Sequence, residues 1–289
     1  MKLVTIKHEG SNLAAIHIDK KYLTLRSLNT IFHTDWPEDL FQLIHPENFS
    51  SFQTWWNKSK GEAGFEDHYL SEEGIECLPL YRNPRKIWGI GLNYQDHASD
   101  LNEKAPQTEP ASFMKPDTTI IGYEDTVIIP KQSERTTAEA ELGIVIGKKC
   151  KDVSIEEAKE VIAGYTPVID MTAEDILQRN PRYLTRSKSF DTFFSFGPQL
   201  LTPDEIEDVL ELNVSTKING QIHRKNVVKN MTFNPYDLIS FHSKVMTLLP
   251  GDIISTGTPG AVVIKHGDQV GCQIDGFTSL KNRVKDVKV

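Results

Sequence analysis

Hydrophobic residues recur at alternate positions near the start of the chain, in LVTI, AAIHI and YLTL, with the polar turns EGSN and DKK between them. Period-two alternation bounded by turn residues predicts short strands with one buried face. A helical, tryptophan-containing stretch is predicted from Pro37 to about Trp56, followed by the polar, glycine-containing KSKGEAGFED as a loop or hinge. From Arg85 the texture changes to apolar strands and capped helices. Residues 1–80 therefore read as a small β-rich unit ahead of a larger one over 81–289. Ser154 and Glu157 form a capping box before EEAKEVIA, and Gly164 is expected to close that helix. Thr202, Pro203 and Glu205 predict another helix start. Asn219-Gly220, between LNVSTKI and QIHRKNV, predicts a tight hairpin. Strands and helices mix without regular βαβ alternation, which predicts an α+β fold.

The segment TTAEAELGIVIGKK adds chemistry to this pattern. On a strand, Glu139 and Glu141 share a face about 7 Å apart, and the LGIVIG that follows is apolar on both faces, as in a buried strand. Two such carboxylates repel, and one takes up a proton unless a cation lies between them. The alternative is an edge strand carrying two solvated glutamates. Asp170 ends the apolar run YTPVI, where a neighbouring parallel strand could deliver a third carboxylate. No histidine or cysteine accompanies these acids, and an all-oxygen set of two Glu and one Asp suits Mg²⁺ or Mn²⁺ rather than zinc or copper.

Composition narrows the partners. The 289 residues carry a net charge of −8, which repels phosphate backbones and argues against a nucleic-acid partner. The three cysteines, Cys77, Cys150 and Cys272, have no paired or zinc-binding spacing, so a reducing compartment is expected. The longest apolar runs, Ile87 to Leu92 and Leu142 to Gly147, reach six residues, far below the ~20 needed to span a bilayer. With no apolar signal core behind MKLVTIKHEG, the expectation is a soluble, cytoplasmic protein with no membrane partner.

The blocks GLNYQDHASDL, ASFMKPDTTIIG, EAELGIVIGK, GYTPVIDMTAED, RSKSFDTFFSFGP and PGDIISTGTPG follow one another between Lys86 and Val284. In that order they resemble the fumarylacetoacetate hydrolase family. The resemblance implies a mixed β-roll, a homodimer, and an Mg²⁺ or Mn²⁺ site formed by Glu139, Glu141 and Asp170. It also implies catalytic roles for Lys188 beside the metal and for His97, oriented by Asp100 on a lid helix. Lys115 and Thr258 are implied as substrate contacts, and Arg186 or Arg182 could supply the cation that the family pattern has at position 174.

The implied reaction is metal-dependent hydrolysis of a C–C bond in an acylpyruvate-like or 2,4-diketo acid. The metal stabilises the enolate, and the lid dyad activates water. Isomerisation, hydration or decarboxylation of a related 2-keto acid uses the same site, and a non-catalytic ligand-binding member is a further alternative. Four positions depart from the family pattern. Asp100 stands for the more usual glutamate, Glu174 for an arginine, Leu177 for a glutamine and Ala261 for a glycine. An acid at position 174 is expected to disfavour a second substrate carboxylate.

Overall fold

The computed structural model describes residues 1–61, 64–95 and 106–289. Two mixed sheets organise the chain. The larger runs through an antiparallel hairpin of two long strands, Thr136–Ile146 and Ile162–Ala173. Every residue of Thr136–Ile146 is buried, as the apolar LGIVIG predicts, and this strand lies inside the sheet rather than at its edge. Ile253–Ser255 pairs antiparallel on its far side, and Ile87–Gly91 follows in parallel, with Ala111–Lys115 antiparallel beyond it. The five-stranded second sheet contains Asn213–Ile218, Gln221–Val227, Gln269–Ile274, Leu280–Asp286 and Thr126–Ile129.

The two faces of the central hairpin have different duties. Ala138, Ala140, Leu142 and Ile144 point into a core shared with Val214, Val270, Cys272 and Ile274 of the second sheet. The alternate face carries Glu139, Glu141, Gly143 and Val145. Val145 and the partner strand's Val168 enter another core, built with Leu3, Leu23, Phe52 and Trp56 of the N-terminal region. One strand face thus changes from acidic to apolar along its length, and its apolar part packs in the core that residues 1–80 help to build.

The N-terminal region folds as the three strands read from its alternation, Lys2–His8, Ser11–Ile18 and Lys21–Thr24. It is continuous with the main sheet, because Lys2–His8 pairs antiparallel with Gln199–Leu201, which meets Ile162–Ala173 at Tyr165. The tryptophan-containing stretch forms two helices, Leu40–Leu43 and Pro46–Ser59, with Pro46 starting the second. The Asn219-Gly220 turn joins its two strands with φ of 52° and 82°, the left-handed pair that a two-residue hairpin requires.

Two helices are shorter than the sequence predicts. Ser154 and Glu157 do exchange capping bonds of 2.9 and 3.2 Å, but only a 3₁₀ turn over Glu157–Val161 follows. Gly164 lies instead within Ile162–Ala173, where a Cβ would meet the Leu201 carbonyl and the Leu200 side chain. The long ladder with Thr136–Ile146 captures the chain from Ile162 and overrides the local cap. Pro203–Glu205 likewise makes one 3₁₀ turn.

Candidate metal centre

Antiparallel pairing, not the parallel arrangement expected from sequence, delivers the third acid. The ladder sets Glu139 directly opposite Asp170, with Thr137 opposite Thr172 and Glu141 opposite Val168. Opposed residues share a face, so Glu139, Glu141 and Asp170 converge. One carboxylate oxygen from each lies within 4.8 Å of the others, and all three residues are buried.

Neighbouring groups hold each acid in place. Glu139 Oε1 accepts from Thr172 Oγ1 at 2.6 Å and more weakly from Thr137 Oγ1 at 3.4 Å. Glu141 Oε2 accepts from Ser255 Oγ at 2.5 Å and from the Gly257 amide at 2.9 Å. Gly257 has φ of 95°, and a Cβ there would press on Asn93 and the Ile90 carbonyl, so this close amide requires glycine. Asn93 bonds the Thr256 carbonyl at 2.7 Å, tying the 256–258 turn to the segment that leads toward residue 95.

Two lysines complete the cluster. Lys188, last residue of the short helix Leu184–Lys188, bridges Glu139 Oε2 at 2.9 Å and Asp170 Oδ2 at 2.7 Å. Its ammonium lies 5.0 Å from the centre of the Phe113 ring. Lys115, at the end of Ala111–Lys115, sits 2.7 Å from Asp170 Oδ1 and donates to the Lys188 carbonyl. Both side chains are more than nine-tenths buried.

The charges set one another's ionisation. Burial disfavours charge on Lys188, but Asp170, Glu139 and Glu141 together raise its pKa and keep it an ammonium. Burial also works against the Asp170 carboxylate, and Lys115 and Lys188 overcome it and hold its pKa below the usual range. Lys115 is pulled below the ordinary lysine value by burial, which Asp170 only partly offsets. Among the described residues, no lysine forms an ion pair with Glu141. Burial, then the charges of Asp170 and Glu139, push its pKa up to about 8.

This surplus of buried negative charge is the test of fit for a divalent ion. Three rigid, oxygen-only donors with one carboxylate left uncompensated match a hard cation such as Mg²⁺ or Mn²⁺. Between about pH 4.5 and 8 the folded, metal-free protein holds a proton on Glu141 that the unfolded chain has lost. The folded state binds more protons across that window, so its stability falls as pH rises. A divalent ion displaces that proton, so metal binding strengthens toward pH 8. The expected result is that the difference in melting temperature between Mn²⁺-loaded and EDTA-treated protein grows from pH 6 to pH 8. A difference independent of pH would refute the protonated Glu141.

The remaining candidates fall in several places. Thr258 is buried on the same turn as Gly257, its hydroxyl 3.2 Å from both the amide nitrogen and the carbonyl oxygen of Gly260. Arg186 is exposed and bonds Gln132 Oε1 at 3.2 Å. It lies two residues from Lys188, and such positions on a helix do not share a face. His97 and Asp100 lie outside the described residues. Glu174 pairs with Arg135, so the position that departs from the family arginine carries an ion pair instead of a bare acid. Thr137 and Thr172 were legible from sequence by the same period-two rule that joins Glu139 to Glu141. Ser255, Gly257 and Phe113 had no local signal.

A family model for the fumarylacetoacetate (FAA) hydrolase C-terminal region matches residues 86–285. A mitochondrial oxaloacetate tautomerase of Xenopus laevis is 37% identical over 235 residues, covering 78% of this chain and 73% of that one. A solved maleylpyruvate hydrolase from Sphingobium sp. SYK-6, in complex with manganese(II) and pyruvate, superposes with a TM-score of 0.80 at 26% identity, covering 99% of both chains. The 5-carboxymethyl-2-hydroxymuconate delta-isomerase from Mycobacterium smegmatis superposes with a TM-score of 0.77 at 28% identity, again covering 99% of each. These relatives are enzymes of several reaction types on the α+β fold seen here. By the match across residues 86–285 and the 37% identity to the Xenopus laevis tautomerase, the chain belongs to the fumarylacetoacetate hydrolase family.

Proposed function

We propose that this protein is a divalent-metal-dependent enzyme that interconverts the keto and enol forms of a short 2-keto diacid such as oxaloacetate. The observation that carries enolate chemistry is the buried set of three carboxylates, two of which, Glu139 and Asp170, are held by Lys188 and Lys115. Glu139, Glu141 and Asp170 would hold Mg²⁺ or Mn²⁺, which when bound polarises the 2-oxo group and favours loss of a proton from the adjacent carbon. The ammonium of Lys188 is held charged and in place, so it stabilises the negative charge that gathers on the substrate's oxygen. Lys115 adds a second cation, and Thr258 with its backbone neighbours a polar wall. His97, oriented by Asp100, is the proposed base that moves the carbon-bound proton. The identity to the Xenopus laevis tautomerase supports this outcome over the others.

C–C hydrolysis of an acylpyruvate is the second reading, favoured by the likeness to the Sphingobium maleylpyruvate hydrolase. It needs the same enolate, with His97 delivering water instead of taking a carbon-bound proton. Ultraviolet absorbance of the enol separates the two. Enol-oxaloacetate and a panel of acylpyruvates are each mixed with enzyme and Mg²⁺, Mn²⁺ or EDTA. Metal-dependent acceleration of enol decay without a new carbon fragment supports the tautomerase. Metal-dependent bleaching of acylpyruvates with release of pyruvate, and no effect on oxaloacetate, overturns it in favour of the hydrolase.

A further inference from the structure

The ladder that aligns the three acids continues outward to a pair of opposite charge. Its register runs Glu139 with Asp170, Thr137 with Thr172 and Thr136 with Ala173, and just past that last pair Arg135 meets Glu174, the first residue of the helix Glu174–Arg179. The Glu174 amide donates to the Arg135 carbonyl at 2.8 Å, and Arg135 Nε donates to Glu174 Oε2. Residues 137, 139 and 141 share one face of their strand, as 170 and 172 do on theirs. That face therefore carries the three acids and two threonine hydroxyls that both donate to Glu139, and the Arg135–Glu174 pair sits just beyond the threonine end of the ladder.

We propose that Arg135, held by Glu174, binds the distal carboxylate of the substrate and so selects a diacid. This rests on the keto-diacid reading above and assigns the residue that reads its second charge. A half-exposed ion pair contributes little to stability, so its placement is better explained by orientation. The Glu174 side chain is 13% exposed and the Arg135 side chain 52%. The more buried acid thus anchors the guanidinium through Nε. The two terminal nitrogens make no other hydrogen bond among the described residues. A planar fork free at that end matches a carboxylate in two-point contact. Arg135 lies four residues from Glu139, roughly 13 Å along the strand, a gap that an arginine side chain and an extended diacid close from opposite ends. Arg179 is engaged by Asp175 at 2.9 Å and Arg186 by Gln132, whereas Arg135 directly precedes the strand that carries Glu139 and Glu141. Glu174, which alone would repel a second carboxylate, becomes the positioning residue for the group that attracts it.

The test compares oxaloacetate with pyruvate, the same keto acid without the distal carboxylate. Binding of each to the Mn²⁺-loaded protein is measured by calorimetry, for wild type, Arg135→Ala, Arg135→Lys and the exchange of Arg135→Glu with Glu174→Arg. Arg135→Ala is expected to weaken oxaloacetate tenfold or more while changing pyruvate and Mn²⁺ affinity less than twofold. Arg135→Lys is expected to fall between, and the exchanged pair to recover most of the preference for the diacid. An oxaloacetate-to-pyruvate ratio unchanged in both single variants overturns the inference, as does a wild type with no preference for the diacid. Because binding is read without turnover, a wild type that prefers oxaloacetate but does not tautomerise it refutes the proposed reaction and leaves Arg135 its role.

Discussion

Replacing Glu141 with glutamine is expected to abolish metal-dependent turnover and, at pH 8, to raise the melting temperature of the metal-free protein. The two effects have one cause. Glu141 is buried beside Asp170 and Glu139 with no lysine ion pair among the described residues, and its pKa of about 8 marks the strain of ionising it there. Glutamine is nearly the same shape, and its amide oxygen still accepts from Ser255 and the Gly257 amide, but it carries no charge. The metal-free fold is thereby relieved. The same neutralisation removes one of three anionic ligands, and metal-assisted charge stabilisation is worth several kcal/mol, so kcat/KM should fall by about 10³ or more. Steady-state kinetics with Mn²⁺ and thermal melts in EDTA check both halves. A variant that keeps wild-type turnover would remove Glu141 from the metal site. A variant that melts lower than wild type in EDTA at pH 8 would show that the acid is not a buried, uncompensated charge.

Lys188→Met is expected to have the opposite effect on the metal-free protein. Methionine has a similar length and fills the space against Phe113, so little cavity is left. The loss is electrostatic. Lys188 is the ammonium that touches both Glu139 and Asp170, and removing one partner of a buried pair typically destabilises by about 3–5 kcal/mol. Saturating Mn²⁺ would supply positive charge to the same carboxylates and recover much of that loss. Denaturant titration with EDTA and with Mn²⁺ measures the difference. An equal loss under both conditions would mean that Lys188 stabilises by packing instead of by charge, and the enolate-stabilising role given to it would lose its electrostatic basis.

The sequence by itself determined whatever depends on neighbours a few residues apart. Period-two alternation put Glu139 and Glu141 on one face, LGIVIG marked their strand as buried, and Asn219-Gly220 specified a hairpin that only two left-handed residues can make. The ordered motifs also named the three acids and Lys188 that the fold brings together. Tertiary structure decided register and long-range company. Whether Asp170 meets Glu139 depends on an antiparallel ladder along the length of both strands, which no local signal states. Lys115 and Lys188 are 73 residues apart, and Ser255 reaches Glu141 across 114. The capping box at Ser154 formed its bonds yet did not propagate a helix, because burial of the strand from Ile162 outweighed a cap worth about 1 kcal/mol. Glu174 shows the same limit: read alone it repels a second carboxylate, and only the fold supplies Arg135, 39 residues away, to neutralise it. Local chemistry sets what each side chain can do, and the cooperative burial of distant strands selects which side chains do it together.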